Sequence, residues 1–287
     1  MVSNLILLDT NPILHKFWSS HYNQLLAVIN GYGLQFHNNV NLHFKNCSIG
    51  SLVATQPKHD TKNPTAVVTP SNSLSYMGGG FDKYLLQALL LPNDSGSYKL
   101  IEPLIQQHSL SKFNGYLPVN STNVIDLLQL FKDNHDYTQS HAYKNWNLTT
   151  VIQVPSMIVP ESIVSKTVVF DFVFNVMLTS SQHPIDTLII PGIGTGYGSL
   201  NAEDTSKIMI FSILLFNLDF GADRFSQLKK SCLILFFFNK DYKKLANESD
   251  LSELHASVIS DFGRTRPYQE GEGTLMNFDD LFKCIRM

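Results

Sequence analysis

Two glycine-rich segments constrain the fold of this 287-residue chain more than any other feature. The first, Gly78–Gly80, follows the apolar run Ala66–Thr69 and precedes a helical pattern that begins at Phe81. The second, Gly192–Gly198, follows the apolar run Thr187–Ile190. Glycine serves where the backbone takes a positive φ or lies against a ligand, and the N–H groups at a helix start attract anions. Two such loops predict a phosphate or diphosphate cradle, for a ligand with two anchoring regions such as a nucleotide sugar.

Short apolar runs predict a sheet whose strands are covered on both faces. Five runs are continuous rather than alternating and rich in Val, Ile and Phe: Leu5–Leu8, Ala66–Thr69, Val151–Val154, Thr187–Ile190 and Cys232–Phe238. Helical patterns fall between the runs, at Phe81–Leu91, Lys166–Leu178 and Asn201–Leu218. The alternation predicts an α/β sandwich with a largely parallel sheet.

Two polar regions interrupt this alternation. Residues 31–63 contain a predicted strand at Val40–Phe44, and residues 92–147 contain a predicted helix at Val124–Asp133. A last helix is predicted at Phe278–Ile285. Neither polar region has an apolar core of its own. We therefore expect one domain over residues 1–287, with insertions at about 31–63 and 92–147.

Charge and composition narrow the classes of function. The formal net charge is −3 and no basic run occurs, so no nucleic-acid partner is expected. The apolar stretches Ile208–Phe216 and Cys232–Phe238 are too short to span a bilayer, so no membrane partner is expected. The N-terminal apolar run lacks a basic flank, which predicts a cytoplasmic or nuclear protein that is not secreted. The three cysteines form no CxxC pair, which favours reduced thiols.

Four segments carry a resemblance to a known family. They are the loop that runs from Ser71-Asn72-Ser73 to Gly78-Gly79-Gly80-Phe81-Asp82, the loop Pro191–Gly198, the strand end Leu8-Asp9-Thr10-Asn11, and Val151–Pro155 with Pro160. In order and spacing they resemble the motifs of the macro domain family, whose members bind ADP-ribose. The combination looks most like a fungal branch of ADP-ribose 1″-phosphate phosphatases, which clear a by-product of tRNA splicing.

The resemblance implies both a fold and a set of roles. The implied fold is a three-layer α/β/α sandwich with a mixed, largely parallel sheet. The implied catalytic residues are Asp82 and Asn72, which lie near the distal ribose and its phosphate. The implied ligand-binding residues are Asp9, which selects adenine, with Thr10 and Asn11; Gly78, Gly79, Gly80 and Phe81 at the distal ribose; and Gly192, Ile193, Gly194, Thr195, Gly196 and Tyr197 at the diphosphate.

The expected partner is therefore a small molecule, ADP-ribose or ADP-ribose 1″-phosphate, with neither cofactor nor metal. The ten histidines show no metal-binding spacing. The chain departs from the family pattern at Pro70, which replaces the first Asn of that motif, and at Ser71, which replaces a small residue. It departs again at Gln153, where many relatives have His. A mono-ADP-ribosyl-protein hydrolase and a non-enzymatic ADP-ribose reader stay open as alternatives, the latter favoured by Gln153.

Each main candidate also has a purely structural interpretation. Asp9 suits a turn or cap before Pro12, and Asn72 suits an Asx-turn at a strand end. Asp82 suits the first turn of a helix, where a carboxylate stabilises the helix dipole. A dinucleotide-binding fold is disfavoured because it needs glycines after the first strand, which here ends in Asp-Thr-Asn-Pro.

Overall fold

The computed structural model describes residues 2–56, 63–91, 98–133, 136–244, 247–266 and 274–287. The chain divides into two compact units. The first comprises residues 1–19 and 39–213, and the second comprises residues 20–38 and 214–287.

The described chain contains strands and helices in alternation. The strands are β1 (Asn4–Asp9), β2 (Gln35–Phe36), β3 (Asn41–Asn46), β4 (Thr65–Asn72), β5 (Asn123–Asp126), β6 (Leu148–Met157), β7 (Thr187–Pro191) and β8 (Leu218–Asp219). The helices are α1 (Pro12–Gly31), α2 (Ile49–Ala54), α3 (Gly80–Ala88), α4 (Glu102–Lys112), α5 (Leu127–Phe131), α6 (His141–Trp146), α7 (Thr167–Ser181), α8 (Ala202–Asn217), α9 (Arg224–Phe237), α10 (Glu248–Ser257), α11 (Asp261–Thr265) and α12 (Phe278–Lys283). Short 3₁₀ turns occur at Tyr98–Leu100, Tyr137–Gln139 and Tyr242–Lys244.

A six-stranded sheet organises the first unit, in the order β3-β1-β7-β4-β6-β5. Neighbouring strands are parallel except for β5, which runs antiparallel to β6. Helices flank both faces of this sheet. The predicted α/β/α sandwich with a mixed, largely parallel sheet is therefore confirmed.

The core follows from strands whose residues are apolar on both faces. Ile6, Val67 and Ile189 point to one face and join a cluster with residues of α2 to α6. Their neighbours Leu7 and Val68 are equally buried on the other face, because side chains alternate along a strand. At about 25 cal/mol per Å² of apolar surface removed from water, this double burial supplies the main stabilisation of the unit.

The sheet opens between its two central strands. The β4–β7 ladder ends at the pair Val67–Ile189, although β4 continues to Asn72 and β7 continues to Pro191. The carboxyl ends of the two strands therefore separate. Each glycine-rich loop begins at one of these ends, so both loops border the same crevice, as ligand-binding loops do in open parallel sheets.

The two polar regions contribute to the sheet and the core of the first unit. The strand expected at Val40–Phe44 is present as β3, an edge strand parallel to β1. The helix predicted at Val124–Asp133 is wrong for its first three residues, because Asn123–Asp126 pairs with β6 as the other edge strand. The helix α5 follows, and the Asp126 carboxylate caps it by accepting from the Gln129 N–H.

In the second unit, one predicted strand is a helix. Residues 232–238 were predicted as a strand, but Cys232–Phe237 lies in helix α9 and Phe238 caps it. Buried positions there recur as two pairs four residues apart, Cys232 with Leu233 and Phe236 with Phe237, which is a helical period. The Asp223 carboxylate caps this helix by accepting from two backbone N–H groups. A seven-residue apolar run does not by itself distinguish a strand from a buried helix.

Aromatic packing accompanies α9 in this second unit. Phe237 stacks on Phe278 of α12 with ring centroids 6.2 Å apart. The predicted last helix is present as α12, two residues shorter than expected. Nowhere in the described ranges is there a helix long and apolar enough to cross a membrane.

The strand-to-helix junction at Asp126 can be tested by removing its cap. Replacing Asp126 by Ala should lower the free energy of unfolding of the protein by about 1 kcal/mol, because the Gln129 N–H loses its acceptor. The matched variant Asp126→Asn keeps an acceptor and should unfold near the wild-type urea midpoint. Equal midpoints for the Ala and Asn variants would contradict the capped junction.

Candidate functional site

A cavity of about 950 Å³ lies in the first unit at the carboxyl ends of the strands. Its wall comes from the ends of β1, β4, β6 and β7, from the start of α2 and from both glycine-rich loops. The residues that line it include Leu8, Asp9, Thr10, Asn11, Cys47, Ser48, Ile49, Asn72, Tyr76, Gly78, Gly79, Gly80, Phe81, Asp82, Tyr84, Ser156, Met157, Gly192, Gly194, Thr195, Gly196, Tyr197 and Gly198. This volume suits a ligand larger than a single sugar or phosphate.

The first loop is organised by the Asn72 side chain. The Asn72 Oδ1 accepts from the N–H groups of Leu74 and Tyr76, and its Nδ2 donates to the Tyr76 carbonyl at 2.7 Å. This is the Asx-turn role that sequence reasoning kept open for this residue. The second Nδ2 hydrogen makes no bond within the described ranges and is the part of Asn72 that a ligand can use.

The first loop ends where α3 begins. Gly79 is the N-cap residue of α3, and Gly80 takes a φ of +57° in the left-handed region that favours glycine. The N–H groups of Gly78, Gly79 and Gly80 have no hydrogen-bond partner among the described residues. They lie at the positive end of the α3 dipole and line the cavity, so they can bind an anion or an electronegative oxygen.

The second loop is a tight turn that also presents backbone N–H groups. Gly194 has a φ of +76°, and its carbonyl accepts from the Leu200 N–H at 2.9 Å. A Cβ atom on Gly198 would lie 2.6 Å from that same carbonyl, so only glycine fits there. The N–H groups of Gly194, Thr195 and Gly196 make no hydrogen bond in the described part of the chain. A series of such N–H groups forms an anion-binding concavity.

Tyr197 brings the two loops together. Its ring lies against Gly79, because a Cβ atom added at Gly79 would come within 3.1 Å of the tyrosine hydroxyl. The Tyr197 side chain is otherwise exposed at the cavity edge. The two sets of N–H groups therefore border one continuous space.

Asp9, the last residue of β1, lines the cavity where that strand ends. Its Oδ1 accepts from the Asn11 N–H at 2.8 Å, and the Gly192 N–H also donates to this carboxylate. Burial raises the pKa of Asp9, and the backbone hydrogen bonds oppose that rise. Asn11 in turn accepts from the Ile13 N–H at the start of α1. The turn role expected as an alternative for Asp9 is present, and the carboxylate still lines the cavity.

Asp82 lies on the β4 side of the cavity, in the first turn of α3. It is only 7% exposed, and the Thr69 hydroxyl on β4 donates to its Oδ1. Burial raises the pKa of Asp82 to about 7, with the Thr69 hydrogen bond opposing and the Glu102 charge adding to the rise. A carboxyl with this pKa can both accept and release a proton near neutral pH.

The remaining sequence candidates fall on the wall or just behind it. Thr10 and Phe81 line the cavity, whereas Ile193 is fully buried and does not line it. Gln153, a departure from the family pattern, is buried on β6 and also lies off the wall. Its Nε2 donates to Ser75 and its Oε1 accepts from Ser109, so Gln153 supports the first loop from behind.

Some residues of the cavity wall were not predicted from the sequence. Cys47, Ser48 and Ile49 come from the β3–α2 connection inside a region without a recognised motif. Their one local signal was Ser48, a typical N-cap residue, which caps α2 by accepting from the Ser51 N–H. Ser156 and Met157 come from the end of β6.

The described cavity wall contains acidic but no basic side chains. Its described residues include the carboxylates of Asp9 and Asp82 but no Lys, Arg or His. A phosphate group there would be bound by backbone N–H groups and neutral side-chain donors rather than by cationic side chains. The described residues also contain no group of three or more His, Cys, Asp or Glu side chains able to hold a metal ion.

These features define an α/β protein in which two glycine-rich loops line one cavity at the carboxyl ends of the central strands. The sequence model of the Macro-like domain family matches residues 4–262. The chain therefore belongs to the Macro-like domain family, and the resemblance found in the sequence is confirmed at that level.

The chain is similar to three solved structures, two of which are macrodomains by name. The macrodomain of Mycobacterium tuberculosis DarG is 14% identical, over 57% of this chain and 91% of that chain, with a TM-score of 0.39. The Oceanobacillus iheyensis macrodomain with ADP is 14% identical, over 56% and 80%, with a TM-score of 0.38. Thermosipho africanus DarTG in complex with ADP-ribose is 11% identical, over 66% and 47%, with a TM-score of 0.40.

The contact between Gly192 and Asp9 predicts a steric effect of substitution. In Gly192→Ala the new Cβ would lie 2.5 Å from the Asp9 Oδ2 and 2.7 Å from Leu14, so the free energy of unfolding should fall by about 1–3 kcal/mol. In the control Gly31→Ala the new Cβ meets no atom within 4 Å, so stability should stay the same or rise slightly. Urea unfolding of both variants measures the difference, and equal stability would contradict the close contact.

The buried Asp82 predicts a pH dependence of stability. Its pKa in the folded protein, about 7, lies above the ordinary value of 3.8, so the folded state binds this proton more tightly. The contribution of Asp82 is therefore fully present below pH 4 and is lost as the pH rises to about 7. Asp82→Asn should flatten the free energy of unfolding over this range, whereas Asp279→Asn, an exposed first-turn Asp of α12, should keep the wild-type slope. An unchanged slope in Asp82→Asn would refute this assignment.

Proposed function

We propose that the cavity binds ADP-ribose and that the protein hydrolyses ADP-ribose 1″-phosphate to ADP-ribose and phosphate. One observation carries the proposal: residues of both glycine-rich loops whose N–H groups have no partner in the described chain line a single cavity, together with the carboxyl groups of Asp9 and Asp82. ADP-ribose has a matching order of groups, with an adenine at one end, a diphosphate in the middle and a ribose at the other end. In the cell this activity would remove a by-product of tRNA splicing.

The diphosphate is assigned to the second loop. The N–H groups of Gly194, Thr195 and Gly196 are available to its oxygens, and Tyr197 closes the space over the ligand. Backbone N–H groups bind phosphate oxygens without a compensating cation because the loop is rigid before the ligand arrives. The positive φ of Gly194 and the tight fit at Gly198 supply that rigidity.

Adenine is assigned to the Asp9 end. The Asp9 carboxylate accepts three backbone hydrogen bonds, from Asn11, Gly192 and Thr10, and a carboxylate has lone pairs for about four. Its remaining capacity suits the exocyclic amino group of adenine, which donates. Leu8 and Ile49 line the same end and offer apolar contact to the base. A base that presents a carbonyl oxygen at this position would meet a negative carboxylate and bind more weakly.

The distal ribose and its phosphate are assigned to the first loop and Asp82. As a general base, the Asp82 carboxylate takes a proton from a water molecule whose oxygen attacks phosphorus. The bond between phosphorus and the ribose O1″ then breaks, and the proton returns from Asp82 to that oxygen. The N–H groups of Gly78–Gly80 and the Asn72 amide orient the ribose. A pKa of about 7 lets Asp82 perform both transfers near neutral pH.

A specific observation favours a second candidate, the hydrolysis of mono-ADP-ribose from protein side chains. The described cavity wall holds no cationic side chain, and Asp82 and Glu102 add negative charge at the distal end. A terminal phosphate carries up to two negative charges there, whereas ADP-ribose joined to an amino-acid side chain carries none at that position. The same Asp82 would then activate water for attack at the ribose linkage.

Phosphorus NMR with ADP-ribose 1″-phosphate tests the proposed reaction. We expect inorganic phosphate to accumulate with the wild-type protein, and its rate to fall by ~10²-fold or more in Asp82→Asn. Asp279→Asn serves as the control and should match the wild type. Perturbed ligand resonances without phosphate would refute the phosphatase, and turnover of an ADP-ribosylated protein would then support the second candidate. Unperturbed resonances would refute ADP-ribose binding.

The role of the second loop can be separated from fold stability. Gly196→Ala adds a methyl group that meets no protein atom within 4 Å, at a position that lines the cavity. We expect the affinity for ADP-ribose to fall roughly tenfold or more, as when a ligand loses about 1.4 kcal/mol of interaction. Gly31→Ala, with equal space but outside the cavity, should leave affinity unchanged by calorimetry. Equal affinities in both variants would remove the loop from the binding site.

A further inference from the structure

One face of helix α4 is attached to the first loop at three points. Met77 donates its N–H to the Glu102 Oε1 at 2.7 Å, and Gln106 donates its Nε2 to the Leu74 carbonyl at 3.0 Å. Ser109 donates to Gln153, which donates to Ser75 at 2.7 Å. The three α4 residues are four and then three positions apart, so they share one helix face. A helix from the region without a recognised motif thus holds the loop that borders the cavity.

Glu102 is the charged member of this face. It lies in the first turn of α4, directly behind the glycine run, and a Cβ atom on Gly78 would come within 3.9 Å of its Oε1. We propose that Glu102 is a positioning residue of the cavity, whose carboxylate anchors the start of the glycine run and places a negative charge behind Asp82. This inference rests on the proposed function for its catalytic meaning.

The anchoring follows from the hydrogen bond to Met77. Met77 is fully buried and immediately precedes Gly78, so its N–H must find an acceptor inside the protein. A carboxylate acceptor makes a stronger bond than a neutral one. The backbone of Gly78–Gly80 is conformationally permissive and would otherwise lose the orientation of its free N–H groups.

The electrostatic part follows from the groups around Asp82. On α3 the titratable side chains near it are Lys83 and Tyr84, and the 3₁₀ turn Tyr98–Leu100 brings Tyr98 and Lys99. β4 and α2 contain no titratable side chain, and the second loop contributes Tyr197. Helix α4 carries Glu102 in its first turn, and His108 and Lys112 follow further along the helix. Among these, the Glu102 charge raises the pKa of Asp82, in addition to burial. A like charge behind the carboxyl favours the protonated form.

Two substitutions at Glu102 separate the two effects. Glu102→Gln keeps an oxygen that accepts from the Met77 N–H but removes the charge, whereas Glu102→Ala removes both. Carbon-13 NMR of the Asp82 carboxyl in the ligand-free protein should show a titration midpoint that shifts downward in both variants. The Met77 amide resonance should stay near its wild-type position in the Gln variant and move in the Ala variant. Glu203→Gln, an exposed first-turn Glu of α8, should change neither signal.

Binding and turnover complete the test. ADP-ribose should bind Glu102→Ala roughly tenfold more weakly, the effect of losing one charge-assisted hydrogen bond that orients the loop. Glu102→Gln should bind like the wild type, with the acid limb of its pH–rate profile displaced to lower pH. An Asp82 midpoint that is unchanged in Glu102→Gln would overturn the inference. Because that midpoint is measured without ligand, it decides the role of Glu102 even if ADP-ribose does not bind.

Discussion

The site depends on a constraint of backbone hydrogen bonding. Past Val67 and Ile189 the two central strands no longer pair, and the loops that follow them leave N–H groups without a protein acceptor in the described chain. Gly78, Gly80 and Gly196 are exposed and the other three residues are half-buried, so their N–H groups are open to water or to a ligand. The glycines allow this arrangement because they tolerate positive φ and close packing, and Tyr197 joins the two sets into one surface. Binding of an anionic ligand completes hydrogen bonds that the fold itself leaves open.

The two carboxyl groups make the parts of the cavity chemically different from one another. Asp9 at one end is held by backbone N–H groups and favours a ligand group that donates. Asp82, on the β4 side, is buried and backed by the Glu102 charge, so its pKa rises to about 7. With no cation on the described wall, phosphate charge is best placed away from these two carboxyl groups, at the loop N–H groups. Under the proposed function, this distribution places adenine near Asp9, the diphosphate at the second loop and the reactive ribose near Asp82.

Short sequence patterns predicted those parts of the site that depend on neighbouring residues in the chain. Apolar runs located β4 and β7, and glycines located both loops. Asp9 at the end of β1 and Asp82 in the first turn of α3 both lie on the cavity wall. The strand predicted at Cys232–Phe238 was wrong, because an apolar segment of that length fits a buried helix equally well. The helix α1 was missed although Asn11 before Pro12 is a typical helix start. Glu102 could not be found, because its partner Met77 is 25 residues away and no sequence pattern records that contact.

The most direct test of the central claim is a titration of glycine-labelled protein with ADP-ribose, followed by nitrogen-15 NMR. The chain has 16 glycines, so the spectrum is simple enough to assign residue by residue. The account predicts that the amide signals of Gly78–Gly80, Gly194 and Gly196 shift on binding, while those of Gly31 and Gly115 stay in place. Shifts confined to glycines outside the two loops, or no shift at saturating ligand, would contradict the backbone cradle as the ligand site.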